Sequence, residues 1–258
     1  MSAVFAARDV SVHYGGVKAL QGFEVEIGPG ELVGLIGPNG AGKTTFIDAA
    51  SGFARYQGRI ELDGKELSGM RPHVRARRGL ARTWQSVELF RDLTVAENLA
   101  VARTRSKLRA MLPQLLVNGD RTTPSVDDVL ALIGIEHLGE ALPSELSEGQ
   151  RKLVGVARAY CGDPKVLCLD EPAAGLDTEE SAELGRKLRK IADAGLPMLL
   201  IDHDMGLVLG ACDQVVVLEF GQTIARGRPE QIRRDPRVID AYLGKAAHDK
   251  KEQEAVDG

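Results

Sequence analysis

The chain opens on short apolar blocks patterned as β-strands, Val4–Val12 and Phe23–Ile27, the second alternating strictly between apolar and acidic positions. Gly15-Gly16 and Gly28-Pro29-Gly30 supply turns between and after them. Glu31–Ile36 is a compact apolar run that ends in glycine and reads as a buried strand feeding a loop; Lys43–Ala50 then reads as a helix. Arg59–Leu62 forms a further short strand before an Asp63-Gly64 turn. The texture then changes. Val95–Leu108, Ser125–Ile133 and Gly149–Tyr160 carry helical period, with Ser125 and Asp128 spaced as a capping box, while Pro113 and the polar run Asn118–Pro124 break the pattern. Apolar strands return at Val166–Leu169, Met198–Ile201 and Val215–Glu219, alternating with helices over Thr178–Ala194 and Met205–Ala211. Strands alternating with helices predict an α/β fold with a mostly parallel, buried sheet. One functional unit is expected over residues 1–244, with a helical lobe at about 86–160 and a charged tail at 245–258.

Composition narrows the classes. Apolar residues make up 43% of the 258, enough for a sizeable core, and the net charge of −4 argues against a bulk nucleic-acid binder. Cys161, Cys168 and Cys212 are scattered without a C-x-x-C pair, so no disulfide framework or zinc site is expected. Met1–Ala7 lacks the basic-then-apolar pattern of a secretory signal, and runs such as Met198–Ile201 are far too short to span a bilayer. A role at a membrane then needs spanning helices from another chain.

The candidate chemistry begins at Gly37-Pro38-Asn39-Gly40-Ala41-Gly42-Lys43-Thr44, followed by Thr45, which matches the phosphate-loop pattern G-x-x-x-x-G-K-[ST]. Its glycines let successive backbone N–H groups turn toward phosphate oxygens, and the helix that follows adds its positive N-terminal end. Lys43 can reach the β- and γ-phosphates of ATP, and the Thr44 hydroxyl can ligate Mg²⁺. Val166–Asp170 is four apolar residues ending in an acid, and ligands of open α/β sheets sit at such strand ends. Asp170 therefore reads as the second Mg²⁺ partner, through water, and Glu171 as the group that polarises the attacking water.

Leu146-Ser147-Glu148-Gly149-Gln150 opens a helix just upstream. Together with the phosphate loop and Asp170-Glu171 it resembles the signature of the ATP-binding-cassette (ABC) ATPases, in which L-S-G-G-Q is usual and Glu148 is the departure. The resemblance covers about Val4 to Gly244. It implies a P-loop NTPase (RecA-like) α/β core with an antiparallel β lobe and an inserted α-helical lobe. Two such subunits, a homodimer or a heterodimer with a second ABC ATPase, would sandwich two ATP molecules head to tail. The resemblance further implies that Gln85 senses Mg²⁺ and the transporter interface, that His203 contacts the γ-phosphate and that Tyr14 stacks on adenine. Ser147, Gly149, Gln150 and Asp177 would act on the partner's nucleotide, and Glu148 is expected to point away from it.

The chain carries one cassette without the long coiled coils of DNA-repair members, so it looks like a separate transport subunit at the cytoplasmic face of a bacterial membrane, bound to permease subunits and working with a periplasmic or extracellular solute-binding protein. Ala81–Gln85, Leu89–Leu99, Asp170–Asp177 and Ile239–Gly244 resemble importers of branched-chain amino acids and related small amides and carboxylates. Lipopolysaccharide-export ATPases share the ending and a basic stretch, but their glutamine follows Leu-Pro where Trp84 stands here. A soluble regulatory ATPase that uses the same sandwich is the alternative from another class. The basic run Arg71–Arg82 suggests anionic lipid contact or, more simply, a solvated helix face.

Overall fold

The computed structural model describes residues 3–84, 88–110 and 124–242, with the backbone alone for 104–110. β1 (Phe5–Tyr14) and β2 (Val17–Ile27) form a hairpin turning at Gly15-Gly16. β3 (Leu32–Ile36) runs through the glycine-rich loop into α1 (Lys43–Ser51). β4 (Gln57–Leu62) and β5 (Lys65–Glu66) turn through Asp63 and Gly64. Both of these residues have positive φ (50° and 67°), the backbone a two-residue hairpin demands. Next come α2 (Pro72–Arg78), β6 (Leu80–Arg82), α3 (Val95–Ala110), α4 (Val126–Ile133) and α5 (Glu148–Cys161). β7 (Val166–Asp170), α6 (Thr178–Asp193), β8 (Met198–Ile201), α7 (Met205–Ala211) and β9 (Gln214–Glu219) follow, then β10 (Gln222–Gly227), α8 (Pro229–Ile232) and a last helical stretch over 236–242.

Two sheets result. The first is antiparallel, in the order β2-β1-β4-β5; the second has the order β10-β9-β3-β8-β7-β6 and is parallel except at the β9–β10 hairpin. Alternation along the parallel strands produces two cores. Leu167, Leu169, Met198, Leu200, Val215 and Val217 face a cluster shared with α3 to α7. Their neighbours Val166, Cys168, Leu199, Ile201, Val216 and Leu218 face a cluster shared with α1 and the antiparallel sheet. Successive side chains of a strand point to opposite faces, so strands apolar at every position are read as buried on both sides. α1 lies between the sheets; its Phe46 ring is 4.3 Å from Phe23 of β2, and burying such a ring contributes about 1.5–3 kcal/mol. That contact fixes the helix that begins at the phosphate loop.

The expected elements are all present within the described residues, several of them longer. The Ser125–Asp128 capping box forms in both directions, at 3.0 and 2.8 Å. β2 begins at Val17 rather than Phe23, because backbone pairing with β1 holds the mixed segment Val17–Gly22 that its own pattern left unassigned. The basic run is not a solvated face throughout. Arg75 is buried and donates to Ala49 O and Ala50 O at 2.7 and 2.8 Å, satisfying carbonyls at the end of α1, and the side chain of Arg82 is largely covered as well. No helix among the described residues is long and apolar enough to cross a membrane.

Candidate functional site

The parallel register puts the site in one row. Leu35 of β3 stands opposite Ile201 of β8, and Ile201 stands opposite Asp170 of β7. The phosphate loop starts two residues beyond Leu35, His203 lies two beyond Ile201, and Glu171 follows Asp170. Three segments therefore leave the sheet together at its carboxyl edge, where ligands of such sheets bind.

Packing explains the loop's glycines. Gly37 has φ 151°, and a Cβ there would lie 2.1 Å from Leu218 O; Gly42 has φ 107°, and a Cβ there would lie 2.7 Å from Ala19 O. The loop is thus pressed between the end of β9 and β2, and any side chain at either position would strike backbone. Gly221 N donates to Ala41 O at 3.0 Å, and Ala41 N to Pro38 O at 3.1 Å. Asn39, Gly40 and Thr44 are exposed, Pro38 and Thr45 half-buried, and Lys43 is buried with Nζ donating to Gly37 O (2.6 Å) and Pro38 O (3.1 Å). The lysine side chain is folded back along the loop, with its ammonium held by the carbonyls at the loop's start. Tyr14 ends β1 as a 52% exposed residue at the rim of the antiparallel sheet.

Glu171 is the strained residue of the site. Its φ of 47° is left-handed, which costs an L-residue roughly 1–2 kcal/mol, and its N–H is held by Ile201 O at 2.8 Å. Asp202, fully buried, ties the neighbouring loops together: one oxygen accepts from His203 N (2.8 Å) and Asp204 N (3.0 Å), the other from Ala173 N (3.0 Å). His203 is exposed, with Nδ1 3.5 Å from the same Asp202 oxygen. Lys152 donates from α5 to Ala174 O; burial pushes its ammonium below the ordinary lysine value, and Glu148, Asp202 and Glu171 oppose that shift. Lys152 escaped the sequence reading, and Asp202 figured there only as a substitute for Glu171. Asp202 carried the same signal as Asp170, an acid directly after an apolar strand; Lys152 carried none.

Ser147 and Gln150 form a capping box at the start of α5, Gln150 N donating to Ser147 Oγ (3.2 Å) and Ser147 N to Gln150 Oε1 (2.8 Å). Asp177 caps α6, accepting from Glu179 N and Glu180 N at 2.9 Å. Ser147 is exposed, whereas Gly149 and Gln150 are partly buried. Glu148 turns toward its own chain: its Oε1 is 4.0 Å from Lys152 Nζ, and a Cβ on Gly175 would lie 2.9 Å from it. Gln85 lies outside the described residues. Cys168, two positions before Asp170, is pushed up to about 12 by burial and remains a thiol.

No group of three or more His, Cys, Asp or Glu among the described residues could hold a metal alone. Thr44 and Asp170 provide a hydroxyl and a carboxylate, a hard-oxygen pair suited to Mg²⁺ that takes its remaining ligands from phosphate and water. The Asp170 carboxylate already holds a cation, Arg82, whose Nη2 is 2.7 Å away.

A glycine loop between a parallel strand and a helix, with acids at the end of a nearby strand, defines a phosphate-loop nucleoside triphosphatase. The family model for ABC transporters matches residues 20–174, and one for branched-chain amino acid ATP-binding cassette transporters matches 222–248. The chain belongs to the ABC transporter ATP-binding family and is an ATP-binding ATPase of that family. It is 37% identical to the high-affinity branched-chain amino acid transport ATP-binding protein BraF of Pseudomonas aeruginosa, over 92% of this chain and 96% of that one. Identity to its counterpart LivG of Escherichia coli is 37%, covering 94% and 98%, and to the lipopolysaccharide export ATP-binding protein LptB of Escherichia coli 34%, covering 94% and 98%. A crystal structure of an ATP-binding cassette of an ABC transporter in its ADP conformation superposes with a TM-score of 0.80 at 28% identity, covering 95% of this chain and all of the other. The cbiO1 structure from Clostridium perfringens gives a TM-score of 0.77 at 27% identity, covering 97% and 100%.

Proposed function

We propose that the chain is the ATP-hydrolysing subunit of a bacterial importer for branched-chain amino acids or related small amides and carboxylates. It would work at the cytoplasmic face of the membrane on permease subunits, with a separate solute-binding protein. The observation that carries the reading is the convergence of the phosphate loop, Asp170-Glu171 and His203 at one sheet edge, in a chain whose residues 222–248 match the branched-chain amino acid model. In this reading residues 1–244 are the cassette, about 86–160 its helical lobe, and 245–258 a tail.

The backbone N–H groups of Gly37–Thr45 cradle the phosphates, Lys43 swings from the loop carbonyls to the β- and γ-phosphates, and Tyr14 stacks on the adenine. Thr44 and Asp170 would hold Mg²⁺, with Gln85 as a further contact; bound there, the ion neutralises charge on the β- and γ-phosphate oxygens. Glu171 takes the proton of the attacking water, and His203, steadied by Asp202, holds the γ-phosphate. A second ABC ATPase, identical or different, brings its own Ser147, Gly149, Gln150 and Asp177 equivalents to this nucleotide and receives those of this chain in return.

Deleting the gene is expected to lower uptake of labelled leucine, isoleucine or valine into cells, with restoration by the wild-type chain and none by a Glu171→Gln copy. The likeness to LptB favours lipopolysaccharide export as the second reading. Unchanged amino-acid uptake with a defective outer surface would support that reading and remove the first.

A further inference from the structure

Arg82 is the charged residue least expected at the site. It ends β6, the strand beside β7, and stands opposite Cys168, two positions before Asp170. Its side chain is 6% exposed and spans two carboxylates, Nη1 at 2.6 Å from Asp48 Oδ1 and Nη2 at 2.7 Å from Asp170 Oδ2. Asp48 lies one turn along α1 from Thr44 and so on the same face of that helix. A single guanidinium thus joins the helix that begins at the phosphate loop to the strand that ends in the candidate metal carboxylate. Contacts of the next two residues hold the guanidinium and the strand end. The guanidinium lies 4.1 Å over the ring of Trp84, which meets Phe53 edge-on at 5.5 Å, just past the end of α1. Thr83, between Arg82 and Trp84, accepts from Asp170 N at 3.4 Å and donates its own N–H to Cys168 O at 2.9 Å.

We propose that Arg82 is a positioning residue for hydrolysis: its guanidinium, anchored by Asp48, holds the Asp170 carboxylate in the orientation that receives Mg²⁺. The proposal rests on Asp170 being the metal carboxylate. Arg82 engages Oδ2 alone among the oxygens of Asp170, which orients Oδ1 for another partner. One guanidinium against two carboxylates leaves the cluster itself with a net negative charge, so the clamp fixes its acid without fully neutralising it. The planar fork of arginine reaches both acids at once, which a lysine ammonium cannot do in the same geometry. Buried ion triads add little net stability over apolar packing, so stability alone is a weak reason for this one. Residues that orient a metal's carboxylates typically change metal affinity by about 10–100-fold when lost.

The test measures ADP affinity by calorimetry with Mg²⁺ and with chelator, in the full-length chain. This reads the Mg²⁺ increment without turnover. Arg82→Gln and Arg82→Lys are each expected to shrink the increment by about tenfold while leaving metal-free ADP affinity nearly unchanged, and the more exposed Asp48→Asn by about threefold. The double variant Arg82→Gln/Asp48→Asn should be no worse than Arg82→Gln, because the two residues act as one unit. A merely structural ion pair predicts something else: a lower midpoint of thermal unfolding with the increment intact. An intact increment in Asp48→Asn and in either Arg82 variant that folds, alongside a reduced one in Asp170→Asn, overturns the proposal alone. An intact increment in Asp170→Asn overturns the metal reading of Asp170 and the proposal with it.

Discussion

Replacing Glu171 by glutamine is expected to lower ATP turnover by roughly 10²–10⁴-fold, the usual size of general-base assistance. The substitution keeps the shape of the side chain and removes its basicity. The left-handed backbone at residue 171 and its hydrogen bond to Ile201 O do not depend on the carboxylate, so the loop should hold its course. ATP should still bind, because Lys43, Thr44 and Asp170 are untouched. Losing a negative charge near the γ-phosphate should also favour the closed pair of subunits, which then accumulates because its release step is blocked. ATPase rate and ATP-dependent dimerisation by light scattering check this together, with the second ATPase included if the transporter uses two different ones. Hydrolysis at the wild-type rate would shift attention to His203 and Asp202, whose carboxylate lies fully buried beside it.

The second large effect is expected at the start of α5. Ser147 is exposed there, and its side-chain hydroxyl accepts from Gln150 N, with no bond to the phosphate loop of its own chain. Ser147→Arg sacrifices the helix cap, worth about 1 kcal/mol, which a folded domain tolerates. It also sets a long cation on the face proposed to meet the partner's nucleotide. Binding of ATP to the isolated chain should remain intact, while ATP-driven dimerisation and turnover fall to background. Loss of ATP binding by the isolated Ser147→Arg chain would place the serine in its own chain's pocket instead. Glu148, next to it, lies against Lys152 and Gly175 of its own chain.

What the sequence made legible was chemistry carried by contiguous residues. Gly37–Thr44 announces itself because the loop's conformation, its lysine and its hydroxyl lie within eight positions, and Asp170 because it directly ends an apolar run. Arg82 and Lys152, which carried no signal, act across long separations. Arg82 reaches Asp48 over 34 positions and Asp170 over 88, and no local pattern distinguishes it from the solvated arginines of the same basic run. Lys152 likewise meets Ala174 only because α5 packs beside the loop after β7. The first half of β2 was hidden for a related reason: half-exposed residues at a sheet edge carry little apolar period, and only pairing with β1 makes them a strand.

Calorimetric titration of MgATP into the wild-type chain and into Lys43→Ala asks whether the loop from Gly37 to Thr45 holds ATP. The lysine's charge-assisted contacts with phosphate are worth roughly 1.5–3 kcal/mol, so affinity should fall by about tenfold or more while the folded state persists. Equal MgATP affinity in the two proteins would show that the nucleotide is held elsewhere.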